Sequence, residues 1–158
     1  MVNERLTGAA ARFVLRMISS DELPDIAVQA LSEECNSPSL RRMAVLGATD
    51  LSIDGPRLFQ SALLELGIPL PSQADAAKRL AREVAEQIVR GECPEYEGAK
   101  QIWSLCDRAG RALAGHDLDP FIYAASEWED RPADRRLFEK AIRAEAVRLL
   151  EVIGGGGC

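Results

Sequence analysis

The stretch that decides the fold runs from Pro71 to Ala114: PSQADAAKRLAREVAEQIVR over residues 71–90, then GECPEYEGAKQIWSLCDRAGRALA over residues 91–114. Ala77, Leu80, Ala81, Val84 and Ile88 recur at the three-and-four spacing that marks one face of a helix. Tyr96, Ala99, Ile102, Trp103 and Cys106 repeat the pattern after a break at Gly91–Pro94. Two long apolar stripes joined by a short turn must bury against each other or against a shared core. The spacing therefore predicts a helical hairpin over 71–114 at the centre of an all-α domain. Gly98 inside the second helix costs about 1 kcal/mol relative to Ala, and a close helix–helix approach at Gly98 and Ala99 would account for it.

Working outward to the N-terminus, Leu6, Ala9, Ala10, Phe13 and Met17 form a stripe, with Val14 and Ile18 widening it. Ser19-Ser20-Asp21 ends that helix and offers caps for the next, where Pro24 suits a first turn and Leu23, Ala27, Ala30 and Leu31 face inward. Ser37-Pro38 repeats the start signal for a short third helix carrying Leu40, Met43 and Ala44. Residues 48–55 read as a polar connection, and Asp54-Gly55-Pro56 as the opening of a fourth helix with Leu58, Phe59, Ala62, Leu63 and Leu66. Ile68-Pro69-Leu70-Pro71 is too proline-rich for a helix. It is expected to lie extended, with Ile68 and Leu70 tucked onto the core.

Toward the C-terminus, Asp119-Pro120 is expected to start a seventh helix, with Phe121, Ile122, Ala125 and Trp128 inward and Asp119 as its cap. Asp130-Arg131-Pro132 starts an eighth, with Phe138, Ala141, Ile142, Ala146, Leu149, Leu150 and Ile153 on its buried side and Glu139 four residues before Arg143. No window alternates as a strand does, and no repeat appears. The expectation is one all-α domain of seven to eight helices over residues 1–153, without a sheet. Residues 154–158, GGGGC, read as a flexible tail, either natural or an appended linker with a thiol handle.

Among 158 residues, 19 are basic and 25 acidic, for a net charge of −6. The hairpin is neutral and the acid lies in the flanks. Nucleic acid is thereby disfavoured as a partner, because phosphate neutralisation needs a basic face. Residues 39–66 hold two short helices in the manner of a helix-turn-helix, but the connection is too long and offers only Arg57 and Gln60 as readers beyond it. No segment reads as a signal peptide or membrane span, so the chain is expected in the cytoplasm and away from membranes. The four cysteines are scattered without a CxxC pair, as in a reducing compartment.

Catalytic signatures are missing from the sequence. There is no phosphate-binding GxxxxGK[ST] or GxGxxG, and no Gly-x-Ser-x-Gly elbow. His116 is the sole histidine; with Asp117 and Asp119 it forms HDLD, which a turn and a helix start explain better than a metal site. No catalytic residue, metal ligand or cofactor is assigned on these grounds. Glu127, Glu129 and Asp130 beside Trp128 make an acidic knot, and Glu92, Glu95 and Glu97 another; both suit helix first turns and solvated faces. Trp and Tyr are enriched at interface hot spots, so the place to look for a binding face is where Trp128 meets Glu127, Glu129 and Arg131.

Leu23-Pro24-Asp25-Ile26-Ala27, Ser37-Pro38-Ser39-Leu40-Arg41, the stretch 66–71, and Glu97-Gly98-Ala99 with Ile102-Trp103 resemble pieces of a set of small all-helical bacterial proteins. The resemblance spans residues 23–103 loosely, implies the helical fold, and carries no activity with it. Two functional expectations follow. One is a non-enzymatic acidic helical domain that binds another protein, a basic one suiting the charge, in the manner of an immunity protein or antitoxin. The other is a small enzyme or ligand-binding domain with a pocket built from His116 and the carboxylates Asp117, Asp119, Glu127, Glu92 and Glu95. A homo-oligomer using an exposed Leu/Ala stripe is a third.

Overall fold

Asn3 opens the first helix by accepting the backbone N–H of Leu6 on its side-chain oxygen at 2.9 Å, which satisfies one of the donors every helix start leaves orphaned. The computed structural model describes residues 3–110 and 118–154, and among them all regular structure is helical, with eight α-helices and no strand. They are α1 (Glu4–Val14), α2 (Leu23–Ser32), α3 (Pro38–Ala44), α4 (Leu51–Glu65), α5 (Gln73–Val89), α6 (Glu95–Ala109), α7 (Asp119–Asp130) and α8 (Arg135–Gly154). The chain divides into two units, residues 1–72 and 73–158.

In the first unit, the serine start signals ahead of α2 and α3 close hydrogen bonds. Ser19 and Glu22 form a reciprocal capping box around a 3₁₀ turn, Ser20–Glu22, and Pro24 sits in the first turn of α2. Ser37 accepts from the Leu40 N–H at 3.0 Å to start α3. The core joins Leu6, Ala9, Ala10, Leu23, Ala27, Ala30, Leu40, Met43, Phe59 and Leu63, all essentially without exposed surface. Phe13 packs on Phe59 with ring centroids 5.0 Å apart.

Besides Met17, which lies past the end of α1 and is 36% exposed, two expectations fail here. The fourth helix begins at Leu51, before the Asp54-Gly55-Pro56 signal, so that Pro56 lies inside it. A Cβ on Gly55 would stand 3.0 Å from Leu23 Cδ1, so the glycine serves a close packing contact within the helix and not a helix start. Leu70 is the second case: Ile68 is buried, but Leu70 remains 44% exposed. The backbone N–H of Ile68 donates to Leu63 O at 2.8 Å just after Gly67, whose φ is +70°. That link anchors Ile68 on the core, and the two prolines that follow carry Leu70 away from it.

In the second unit, α5 packs on α6 and α8, and α7 packs on α6 and α8. The hairpin forms as expected, with Ala77, Leu80, Ala81, Val84 and Ile88 all buried on α5. Gly91, at φ +76°, ends α5. A Cβ on Gly98 would fall 2.5 Å from Ile88 Cδ1 and 2.6 Å from Ile88 Cγ1, so the two helices touch where only glycine fits. Arg143 of α8 donates to Ile88 O and Val89 O at 3.1 and 2.8 Å, at the last turn of α5, where Ile88 O also accepts the Gly91 N–H. The expected inward face of α8 holds at Phe138, Ile142 and Ala146, but Ala141 is exposed. Asp119 proves to be the first helical residue of α7 and not its cap, which is Leu118.

Candidate functional site

Two places bring functional side chains together, one in each unit. The first contains the residues singled out around Trp128. Tyr96, on the first turn of α6, stacks on Trp128 of α7 with ring centroids 3.8 Å apart and planes 12° from parallel. The Arg135 guanidinium lies over the same ring at 3.8 Å. Two groups that close to one ring must occupy its opposite faces, so Trp128 is sandwiched. Its Nε1–H donates to Glu139 Oε1 at 3.2 Å, and Arg135 Nε donates to the Trp128 carbonyl at 3.2 Å. Glu129 accepts from the Tyr96 hydroxyl and from Lys100 Nζ at 3.1 Å. Glu127 pairs with Arg131, Nη1 to Oε2, at 3.4 Å.

The electrostatics follow from these bonds. Donation from Tyr96, and then from Lys100, holds the Glu129 carboxyl below its usual range. The same hydrogen bond raises Tyr96, and Lys100 is raised by its bond to Glu129. Cation and anion are matched, both faces of the indole are covered, and its donor is used. The cluster ties α6, α7 and α8 together, with Lys100, Glu129 and Arg131 at its exposed rim. Sequence reasoning found Trp128, Glu127, Glu129 and Arg131 but not Tyr96, Lys100, Arg135 and Glu139, which complete the cluster. Periodicity within one helix carries no signal for pairs that form between helices.

Of the carboxylates offered for a pocket, Asp119 and Glu127 lie eight residues apart on α7, or about 12 Å along its axis, and Glu95 is taken by Arg143 at 3.5 Å. His116 and Asp117 lie outside the described residues. Among those described, no three His, Cys, Asp or Glu side chains come close enough together to hold a metal ion. Cys106, on the same helix as Tyr96, has its thiol pushed up to about 11, by burial first and then by Asp119 and Asp107. That is the reverse of what activates a nucleophilic cysteine.

The second place is a groove on α4, and it was not read from the sequence. It has a volume of about 390 Å³ and is lined by Arg57, Gln60, Ser61, Leu63, Leu64, Ile68, Pro69 and Leu70. Helix α4 turns Leu58, Phe59, Ala62 and Leu63 into the core. Its outer face, at Ile53, Arg57, Gln60 and Leu64, follows helical spacing on the opposite side. Two of these outward residues are large and apolar: Leu64 is 83% exposed and Ile53 is 73% exposed. The extended segment after Gly67 forms the other wall, where Leu70 stands half out of the core. Arg57 donates Nη2 to Asp54 while its side chain stays 73% exposed.

No helix among the described residues is long and apolar enough to cross a membrane. No family model, curated protein or solved structure matches the chain, so the resemblance over residues 23–103 brings no activity to either place.

Proposed function

We propose that this chain is a protein-interaction domain without chemistry of its own, and that it receives its partner in the groove on α4. The observation that carries this reading is Leu64. A leucine with most of its surface in water, beside a half-exposed Leu70 and Pro69, makes a contiguous apolar wall on a helix whose core face is already filled. Single exposed apolar residues are ordinary, but apolar patches rimmed by polar groups mark binding surfaces. Here Arg57, Gln60 and Ser61 form the rim. The arrangement suits burial of a partner's side chains, and its lining offers Ser61 no histidine or carboxylate as a base and no metal ligand set.

The test is photocrosslinking in the native host with a photoreactive residue at Gln60, compared with one at exposed Gln87. A discrete adduct at position 60, absent at 87 and lost in the double variant Leu64→Ser, Leu70→Ser, is the expected result. Because Leu64 is exposed, that double variant keeps its helical circular dichroism. An adduct that survives the double variant, or none at all, counts against the groove.

A further inference from the structure

Resting on that reading of the groove, we infer that its occupant is an amphipathic helix of a partner protein that carries an aliphatic side chain and a carboxylate two turns apart. Among the described residues there is no strand, so a peptide finds no sheet edge to extend, and helix-in-groove docking is the recognition mode this surface offers. The groove is chemically two-ended. Leu64, Ile68, Pro69 and Leu70 make an apolar end, and Arg57, Gln60 and Ser61 a polar one. Arg57 and Leu64 are seven residues apart on one face of α4, about 10.5 Å along the axis. A partner helix lying alongside α4 meets both with residues at i and i+7.

Charge decides what the polar end takes. Arg57 is the one charged side chain in the lining. Its Nη2 holds Asp54, but the side chain is largely in solvent and a guanidinium has five donors, enough to take a second carboxylate in a bidentate fork. The chain's net charge of −6 favours cations at long range, yet that field is screened beyond about 8 Å at physiological salt. Contact with Arg57 therefore selects an anion at this spot, against the overall charge.

The probe is a stapled helical peptide of about 18 residues with leucine at one position and glutamate seven residues on, titrated against the full chain by fluorescence anisotropy. A Leu/Gln peptide and a Ser/Glu peptide are its controls. On the wild-type chain the Leu/Glu peptide is expected to bind about tenfold tighter than Leu/Gln, the size of one charge-assisted pair. Net repulsion alone gives the opposite order. Arg57→Gln is expected to erase the difference, and Arg57→Glu to prefer a Leu/Lys peptide. Equal binding of Leu/Glu and Leu/Gln, with both lost in Leu64→Ser, overturns the carboxylate and leaves the groove standing. If no peptide binds, or if Leu64→Ser binds all of them unchanged, both the inference and the groove reading fall.

Discussion

Glu34 stands at φ +65° just past the end of α2, in the left-handed region that Gly67, Gly91 and Gly110 occupy elsewhere in the chain. Its neighbour Cys35 donates its backbone N–H to Ala30 O at 3.1 Å, the bond expected of a helix C-terminus that turns through this conformation. A side chain there costs about 1 kcal/mol that glycine avoids, less the extra freedom glycine has when unfolded. Glu34→Gly is therefore expected to stabilise the protein by about 0.5 kcal/mol, read as a higher urea midpoint with unchanged slope. A lower midpoint shows that the carboxylate contributes more than the strain. Gly98 is the opposite case. Alanine there gains helix propensity but drives its Cβ into Ile88, which has no exposed surface to move into. Gly98→Ala is expected to destabilise by about 1–3 kcal/mol, whereas the same change at an exposed helix position would stabilise.

At the scale of elements, Arg143 acts as the clasp of the hairpin. It reaches from α8 to the last carbonyls of α5 and to Glu95 at the start of α6, so one side chain holds three helices around the turn at Gly91. Its side chain is 47% exposed, which discounts the ion pair, but the bonds to the Ile88 and Val89 carbonyls are charge-assisted and tie α8 to the end of α5. Arg143→Gln is expected to cost about 1 kcal/mol. It should also raise amide exchange around the α5–α6 turn ahead of the middle of α5. Uniform loss of protection along α5 would show that the clasp supports the whole packing and not the turn. The Tyr96–Trp128–Arg135 stack does similar work at the same end of α6, joining it to α7 and α8. Glu127, Glu129, Trp128 and Arg131 therefore all have partners within this unit.

For the molecule as a whole, the acidic limb of stability contains a contribution that can be isolated. Glu129 is held below the usual carboxylate value by Tyr96 and Lys100. A carboxyl depressed in the folded state stabilises fully above its unfolded pKa, about 4.3. The gain is lost as pH falls through the folded value. Wild type is expected to melt higher than Glu129→Gln at neutral pH, and the gap should close below about pH 4. A gap that does not narrow as the pH falls through the acidic range assigns the effect to shape and not to charge. The net charge of −6 predicts long-range attraction for cations, while the α4 groove presents Arg57. Net charge and contact charge are separate properties, and the whole-chain total does not describe the groove.

Helix positions were legible in the sequence because they depend on local chemistry. Ser37-Pro38, the Ser19-Ser20-Asp21 caps and Gly91 act within one turn of themselves, and the three-and-four stripe of α5 marks its buried face whatever that face packs against. Gly98 was legible for a related reason: a helix accepts such a cost only where a neighbour demands it. The start of α4 was misread because a Gly-Pro pair signals a boundary locally, while Leu23 needed the glycine at a packing contact. Leu70 was misread because apolar character alone does not say which way an extended segment turns after its anchor. The Trp128 sandwich and the α4 groove depend on residues distant in sequence or on a face left uncovered. Pairing between helices and the exposure of a leucine have no period along the chain, so only the tertiary structure decided them.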